Sequence, residues 1–355
     1  MALTINTNIS SIIAQRSLNK ATDSMNLSIE RMTTGYKINH AKDNAAGYSI
    51  ANSWETKLGS LDVAADNAAT GLDLLTTAEE TYGLLVSHLQ RVRDLTEQAA
   101  NGTYGSQSLK AIHSEISARL QEINRLSANS EFNGIKMMAY DMNPADDSVN
   151  ADVGITDAGV NLQVGLYADE NSVINLKVDL FAKANLSGLF GGMTATYTGP
   201  SSGNDQDLES LLEAANNGTA LDDYLTEDGI NAFAAACCGL KYVEDADSDT
   251  VGVGELYLQD DGDFGAKEML MYLDSAIDEI SSRVTKIGAA QNRVQSAMDA
   301  LDVQAQNLTS SLSTLRDTDV AEESSTYIQQ QILQQSSATL LSTANQLPSI
   351  ALNLI

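Results

Sequence analysis

Residues 273–315 read LDSAIDEISSRVTKIGAAQNRVQSAMDALDVQAQNLTSSLSTL. From Leu273 to Leu315, the side chains at alternating steps of four and three residues are apolar, except for Gln291. A mean step of about 3.5 residues is the heptad spacing of a coiled coil. At about 1.5 Å per residue, one helix over this stretch would be about 65 Å long. We therefore predict a long helix that packs against partner helices along its whole length.

Two further long helices are predicted in the first half of the chain, separated by the turn-forming residues 101–105, NGTYG. Apolar residues recur at helical spacing in both. Their stripes are Leu61, Ala65, Ala68, Leu72, Leu75, Glu79, Tyr82, Val86 and Leu89, continued by Arg93 and Thr96, and then Leu109, Ile112, Ile116, Leu120, Ile123 and Leu126. Three long amphipathic helices predict a helical-bundle rod.

Both ends of the chain carry similar apolar stripes in a polar context. The members are Ile5, Ile9, Ile12, Leu18, Met25, Ile29 and Met32 at one end and Leu333, Leu340, Leu347 and Leu354, at strict heptad intervals, at the other. Each buried Leu or Ile stabilises by about 1.5–3 kcal/mol, and one pair of helices cannot cover both stripes. We predict that these residues mediate self-assembly and that the ends are loose in a single molecule.

The charge of the chain is concentrated in its middle. The net charge is −28, and residues 141–263 contain 24 acidic but only 3 basic residues. Such a field repels phosphate backbones, so nucleic acid is excluded as a partner. No run of about 18 apolar residues and no secretory signal is present, so we expect neither membrane insertion nor general secretion.

The acidic middle contains short elements of both kinds. The stretches 162–167 and 172–178 alternate as strands around the turn at 168–171 and predict a β-hairpin. Helices are predicted at 208–215 and 230–240, and a strand at 253–258. We interpret residues 179–266 as a small, surface-facing α+β insertion.

The predicted fold class is mainly α. It is a long antiparallel coiled-coil or helical-bundle rod formed by the N- and C-terminal segments, with a β-hairpin region and a small α+β central insertion. The predicted divisions are 1–42 and 317–355 as the two halves of a terminal helical domain, 43–178 and 267–316 as the rod with its hairpin, and 179–266 as the insertion.

The sequence contains few candidates for chemistry. Cys237 and Cys238 are adjacent, so they could close only a strained ring, and we expect them to be small buried apolar residues. The stretch 245–249 begins like a calcium loop, but Thr250 replaces the required Gly and Leu256 the required Glu. A solvated acidic loop is the better interpretation.

Histidines and paired carboxylates offer no better site. The only histidines, His40, His88 and His113, lie outside the insertion and lack the spacing of paired zinc ligands. Adjacent acids such as those at 222–223 and 260–261 are usually solvated charge. We therefore expect no catalytic, cofactor-binding or metal-binding residues, no cofactor and no enzymatic activity.

Several motifs in order resemble those of bacterial flagellins. They are RMTTGYKINHAKDNAAG at 31–47, LTINTN at 3–8, QRVRDL at 90–95, EFNG at 131–134, QILQQ at 331–335 and ANQLP at 344–348. The resemblance covers residues 1–178 and 267–355. The chain departs from the family pattern at Tyr36 and Tyr48, where an aliphatic residue is usual, and at His40, and the insertion carries none of these motifs.

The resemblance implies an extracellular structural subunit of the flagellar filament. In this family the two ends pair into an inner tube, the rod surrounds it, and the variable middle faces outward. Subunits leave the cell unfolded through the flagellar type III apparatus. The implied partners are other copies of the chain, the flagellar cap, hook-junction proteins and a secretion chaperone.

One set of residues has two possible partners. Gln90, Arg91, Arg93, Leu95 and Glu115 match the patch by which the innate immune receptor TLR5 binds receptor-active flagellins, and the same residues are expected to contact neighbouring subunits. Receptor recognition of the free subunit is the secondary hypothesis, with an apolar centre on the patch. The alternatives for the whole chain are a hook–filament junction protein and, more distantly, a secreted enzyme that uses the insertion.

Overall fold

The computed structural model describes residues 8–138, 159–167, 169–190, 227–238, 240–243, 255–258 and 266–352. Helices dominate these ranges: α1 (Ile9–Thr34), α2 (Ala45–Ala99), α3 (Ser106–Asn129), α4 (Leu186–Phe190), α5 (Glu227–Cys237), α6 (Ala266–Arg316) and α7 (Val320–Leu352). Within them, no helix is apolar over a length that could span a membrane. The predicted fold class is confirmed.

The chain divides into two compact units, Met1–Val63 with Leu301–Ile355 and Ala64–Ala300. The first unit is built on α1 and α7. The Asn8 side chain caps the start of α1 by accepting a hydrogen bond from the backbone N–H of Ser11. Gly35, with φ 77°, ends the helix in the left-handed conformation, and its N–H donates to the Arg31 carbonyl. These two signals set the length of the terminal helix.

The helices α1 and α7 run antiparallel in the first unit. Asn8 Nδ2 donates to the Ala344 carbonyl at 2.7 Å, and Gln334 Nε2 donates to Thr22 Oγ1 at 3.1 Å. Small or polar residues at multiples of seven residues are buried along both helices: Ala14, Ala21 and Ser28 on α1 and Glu323, Ser337 and Ala344 on α7. The pair is therefore joined by short side chains, which allow close approach of the two backbones.

In the second unit, α2 packs antiparallel to α3 and to α6. Arg91 of α2 pairs with Glu115 of α3, while Glu79 and Arg93 of α2 bond to Gln291 and Asp274 of α6. Because α2 has a neighbour on each side, it buries two heptad rows instead of one. The rows are Ala68, Leu75, Tyr82, Leu89 and Thr96, and Ala64, Gly71, Ala78, Leu85, Val92 and Ala99.

The predicted stripe of α2 is correct in one of these rows and wrong in the other. The predicted stripe contained the observed row through Ala68. Its other members include Ala65, Leu72, Glu79 and Val86, which are only half-buried. The stripes of α3 and α6 are confirmed at Ile116, Leu120, Ile280, Ile287 and Val294, which are all fully buried.

The predicted β-hairpin is present, but its first strand begins and ends earlier than the predicted stretch 162–167. Strand β3 (Val160–Gln163) pairs antiparallel with β4 (Val173–Leu176), with Leu162 opposite Ile174. A shorter hairpin precedes it, β1 (Glu131–Phe132) with β2 (Ile135–Lys136). The larger hairpin lies against α2 at Gly71, where an added Cβ would collide with the Leu162 side chain. Only glycine permits this close approach.

The insertion contains both helix and strand, as predicted. The helix predicted at 230–240 is α5 and ends at Cys237, because Leu240 already begins β5 (Leu240–Val243), which pairs with β6 (Glu255–Leu258). The helix predicted at 208–215 lies outside the described residues. The expectation of a surface-facing insertion is wrong for three of its described phenylalanines: Phe181, Phe190 and Phe233 are buried in the same core as α2, α3 and α6.

Candidate assembly surface

The paired terminal helices leave large apolar side chains exposed in the first unit. Ile9 and Leu340 are each 63% exposed, and Ile12, Ile29 and Leu333 are also exposed, while Leu18, Met25 and Met32 are half-buried. We call these eight residues the assembly surface. Ile5 and Leu354 lie outside the described residues, as does the side chain of Leu347. Of these eight stripe residues, five are thus exposed and three are half-buried.

Three further exposed apolar residues were missed by sequence reasoning: Ile13, Ile328 and Ile332. Ile13 follows Ile9 by four residues, and Ile332 follows Ile328 by four, so each pair shares one helical face. The predicted stripe on α1 continued from Ile9 to Ile12, and that on α7 was counted at strict heptad intervals, so both passed over these steps of four. The sequence therefore contained the pattern that could have found them, which is apolar residues four positions apart on the same helix.

The reason for the exposure is the composition of the contact between α1 and α7. Ala14 and Ala21 are buried on α1, whereas its large apolar residues are exposed or only half-buried, as is Met32 beside Ser324 of α7. Burial of one exposed Ile or Leu would contribute about 1.5–3 kcal/mol. This apolar surface exceeds the scattered single residues normal on a monomer and indicates an interaction site.

A second group of predicted residues lies on α2 and α3. Gln90 and Arg91 are exposed, and Arg91 Nη2 lies 2.9 Å from a carboxylate oxygen of the half-buried Glu115. Arg93 bonds to Asp274 and to Glu97, and its pKa is raised, first by the hydrogen bond to Asp274.

The place of Leu95 corrects the expectation of an apolar centre in this patch. Its side chain is 2% exposed, because the second buried row of α2 passes next to it through Val92 and Ala99. The patch on the free subunit therefore consists of polar and charged groups from Gln90, Arg91, Arg93 and Glu115.

The connection between α1 and α2 is held to the end of α6 within the first unit. The backbone N–H of Lys37 donates to the Arg316 carbonyl at 2.7 Å, and the N–H of Thr318 donates to the Gly35 carbonyl. The Arg316 guanidinium lies 4.2 Å from the centre of the Tyr36 ring and 3.0 Å from Glu55. Tyr36, a departure from the family pattern, thus provides a cation–π partner.

The histidines take part in local contacts. His40 Nε2 lies 2.9 Å from Glu30, and His88 Nδ1 lies 3.5 Å from Arg119. His113 is buried on α3, where its Nε2 lies 3.0 Å from the Asn231 carbonyl of α5, and burial lowers its pKa. Among the described residues, no three His, Cys, Asp or Glu side chains form a group that could hold a metal ion. The calcium-like stretch 245–249 is not described.

The fold is that of a helical structural subunit whose terminal helix pair carries exposed apolar side chains. The family profile for the bacterial flagellin N-terminal helical region matches residues 5–141, and that for the C-terminal helical region matches residues 270–355. The chain belongs to the bacterial flagellin family. It is a structural subunit of the flagellar filament, which lies outside the cell.

Relatives match along the full chain. Flagellin C of Vibrio anguillarum is 32% identical, polar flagellin F of Vibrio parahaemolyticus 31%, and flagellin B of Vibrio cholerae 32%, each over 100% of both chains. The solved structure of FliC from Burkholderia pseudomallei shares 17% identity and covers 69% of this chain and 98% of its own, with a TM-score of 0.27.

Proposed function

We propose that α1 and α7 form the inner tube of the filament and that the assembly surface makes the contacts between subunits there. The single observation that supports this is the exposure of large apolar residues on a helix pair whose own contact uses small ones. Copies of the chain have matching stripes, so association removes this apolar area from water on every subunit at once. Residues 1–42 and 317–355 are the proposed tube segments, and 43–178 with 267–316 the rod.

The substitution Leu340→Asp tests this proposal. Leu340 is 63% exposed in the single molecule, so the variant should melt at the wild-type temperature in circular dichroism. In the filament, the added carboxylate would be buried without a partner, which is strongly unfavourable. We expect soluble subunits that fail to pellet on high-speed centrifugation and show no filaments in electron micrographs.

The matched control is Ser342→Asp, which adds the same charge at an exposed polar position of α7 only two residues after Leu340, and therefore on a different side of the helix. This variant should keep most of the polymer. Equal loss in both variants would assign the effect to charge alone, and normal filaments from Leu340→Asp would refute the role of the assembly surface.

We also propose that the subunit is exported unfolded through the flagellar type III apparatus, with a secretion chaperone inside the cell and the cap and hook-junction proteins at the filament. Support comes from the low proline content, 3 residues in 355, and from thiols that are not cross-linked in the described core. The alternative is a hook–filament junction protein. Purified chains added to short filament seeds distinguish the two, since a junction protein would not extend them into long filaments.

The role of the chain is proposed to be purely structural, without enzymatic activity. The polar groups of the second unit support this, because those described make local contacts such as that between His113 and Asn231. A screen of the purified filament with generic peptidase and phosphatase substrates tests the point. Activity that follows the filament through gel filtration would contradict it.

The secondary proposal is recognition of the free subunit by TLR5 through Gln90, Arg91, Arg93 and Glu115. The exposed guanidinium of Arg91, oriented by Glu115, supports a charged contact. Arg91→Ala should lower receptor signalling by monomers at least tenfold, with Lys110→Ala, exposed on α3, as the control. Leu95→Ala is unsuitable because its side chain is buried. Equal signalling by Arg91→Ala and wild type would exclude the patch.

A further inference from the structure

Two adjacent thiols lie in the core of the second unit. Cys237 is the last residue of α5, and Cys238 follows it directly; both are free thiols and both are buried, at 0% and 3% exposure. The Cys237 thiol lies beside Thr96, a fully buried residue of α2. The end of α5 is therefore placed in the core through these two small side chains.

The folded environment makes both thiols unreactive. Burial raises the pKa of Cys238 to about 12 and raises the pKa of Cys237 further, with the neighbouring thiol as a second cause. The thiolate is the form that attacks oxidants, and it is scarce when the pKa is high and the group is desolvated. Exposure to an oxidant would therefore affect these residues mainly before the core has formed.

An oxidised pair does not fit the backbone observed here. Neighbouring Cα atoms across a trans peptide are about 3.8 Å apart, whereas disulfides span about 4.4–6.8 Å. Closing the ring requires a distorted backbone at the two residues. Cys237 is helical, and the N–H of Cys238 donates to the Ala235 carbonyl at 2.9 Å. The ring would therefore break this helix end.

We propose that Cys237 and Cys238 form a redox-sensitive checkpoint on folding: a chain oxidised at this pair before it folds cannot place α5 in the core and is kept out of the filament. This inference rests on the proposed export of unfolded chains. The oxidant class is hydrogen peroxide. Two S–H bonds and the O–O bond break, one S–S bond forms, and two electrons pass from the sulfurs to the peroxide, which leaves as two molecules of water.

The test begins with the full chain unfolded in urea and treated with hydrogen peroxide at low protein concentration. Chains that have lost two hydrogen atoms by intact mass are purified as monomers and refolded. We expect amide hydrogens of α5 to exchange at least tenfold faster than in the reduced chain, and incorporation into filament seeds to fall by at least tenfold. Dithiothreitol should restore both.

Folded wild type exposed to the same peroxide should keep its thiols, with oxidation at least about 100-fold slower than in urea. The double variant Cys237→Ala/Cys238→Ala controls for oxidation of methionines and should incorporate equally before and after treatment. A variant in which only one of the two cysteines is replaced by alanine cannot close the ring. If ring closure causes the loss of incorporation, each of these variants should respond to peroxide like the double variant.

The outcomes separate this proposal from the proposed function. Native protection of α5 in the oxidised chain, or the same loss in the double variant, would overturn the checkpoint. Failure of untreated, reduced wild type to extend seeds would instead overturn the filament proposal, while protection of α5 would still report on the checkpoint.

Discussion

The Gln291 side chain donates a hydrogen bond from Nε2 to Oε2 of Glu79 at 2.7 Å, across the contact between α6 and α2. Both residues occupy heptad positions in otherwise apolar stripes, and both are half-buried. A polar pair at such positions fixes the register of two helices, because sliding by a turn would separate donor from acceptor. The one polar member of the heptad stripe from Leu273 to Leu315 therefore has a specific partner.

Replacing one member of this pair should cost more than replacing both. Gln291→Leu leaves the Glu79 carboxylate without its donor in a half-buried position, and we expect a loss of about 1 kcal/mol in the free energy of unfolding. Adding Glu79→Leu should recover most of that loss, since two apolar side chains can pack in the same space. Urea denaturation of the two single variants and the double variant gives the coupling energy.

Gln295→Leu is the matched control, because Gln295 is exposed on the same helix and bonds only to Asp299 of its own helix. It should change the stability by less than about 0.5 kcal/mol. Additive losses in the Gln291 and Glu79 variants would show that the two side chains do not act as a pair.

The contact between α1 and α7 should not tolerate larger residues. Ala21 is 4% exposed and belongs to the small residues that join the two helices. Ala21→Leu would force the backbones apart, at a cost of about 1–3 kcal/mol. Hydrogen exchange should show faster exchange in α1 and α7, whereas Ser17→Leu, at an exposed position of α1, should leave it unchanged. Slow exchange in both variants would contradict the close contact.

Much of this architecture could be predicted from the sequence because heptad spacing is a direct record of helix contacts. The apolar stripe from Leu273 to Leu315 predicted α6, and the turn at 101–105 predicted the boundary between α2 and α3. The exposure of Ile9 and Leu340 was also expected from the excess of apolar residues at the ends.

The incorrect predictions of which helix residues are buried have a common physical cause. A hydrophobic pattern shows that a face is buried, but it does not show how many neighbours a helix has. Leu95 and Val92 are buried because α2 contacts α3 and α6 on different sides. The prediction of a single buried stripe therefore missed the second buried row of α2. Small residues such as Ala14 and Ala21 carry little signal in a hydrophobic pattern, although they make the contact.

The prediction that the insertion faces the solvent was wrong for a similar reason. Its acidic composition predicted solvation, yet Phe190 and Phe233 lie in the core with their ring centres 4.7 Å apart. Net charge averages over a segment, whereas burial is decided residue by residue. A few aromatic residues within an acidic stretch were therefore the informative signal.

A buried arginine should hold the start of the insertion to α6. Arg283 Nη1 donates to the carbonyls of Ala182 and Lys183 at 2.9 and 3.0 Å. Arg283→Met would leave both carbonyls without this donor, and we expect a loss on the order of 3 kcal/mol in unfolding free energy. Thermal melting monitored by circular dichroism measures the change.

Lys286→Met is the control for this prediction, because Lys286 is exposed on the same helix and lies 3.8 Å from Asp179. An exposed pair of this kind contributes between about 0 and 1 kcal/mol. If Arg283→Met were no more destabilising than Lys286→Met, the two carbonyl contacts would not hold the segment.

Acid should weaken the contact between α3 and α5 through His113. A carbonyl can only accept, so the neutral ring donates from Nε2 to Asn231. Burial lowers the pKa of His113 in the folded chain below its ordinary 6.5. The unfolded chain therefore binds the proton first as pH falls below about 6.5, and stability is lost until the folded pKa is reached. Above 6.5 both states are neutral and the contribution is constant.

The variant His113→Gln isolates this contribution, since the amide can still donate but does not titrate. The melting temperature of wild type should fall more steeply than that of the variant between pH 7 and the lower folded pKa, and the two slopes should agree above pH 7. Carboxylates that titrate in acid affect both proteins alike, so the difference between the curves belongs to His113. Parallel curves over the whole range would show that the ring takes up its proton without disturbing the fold.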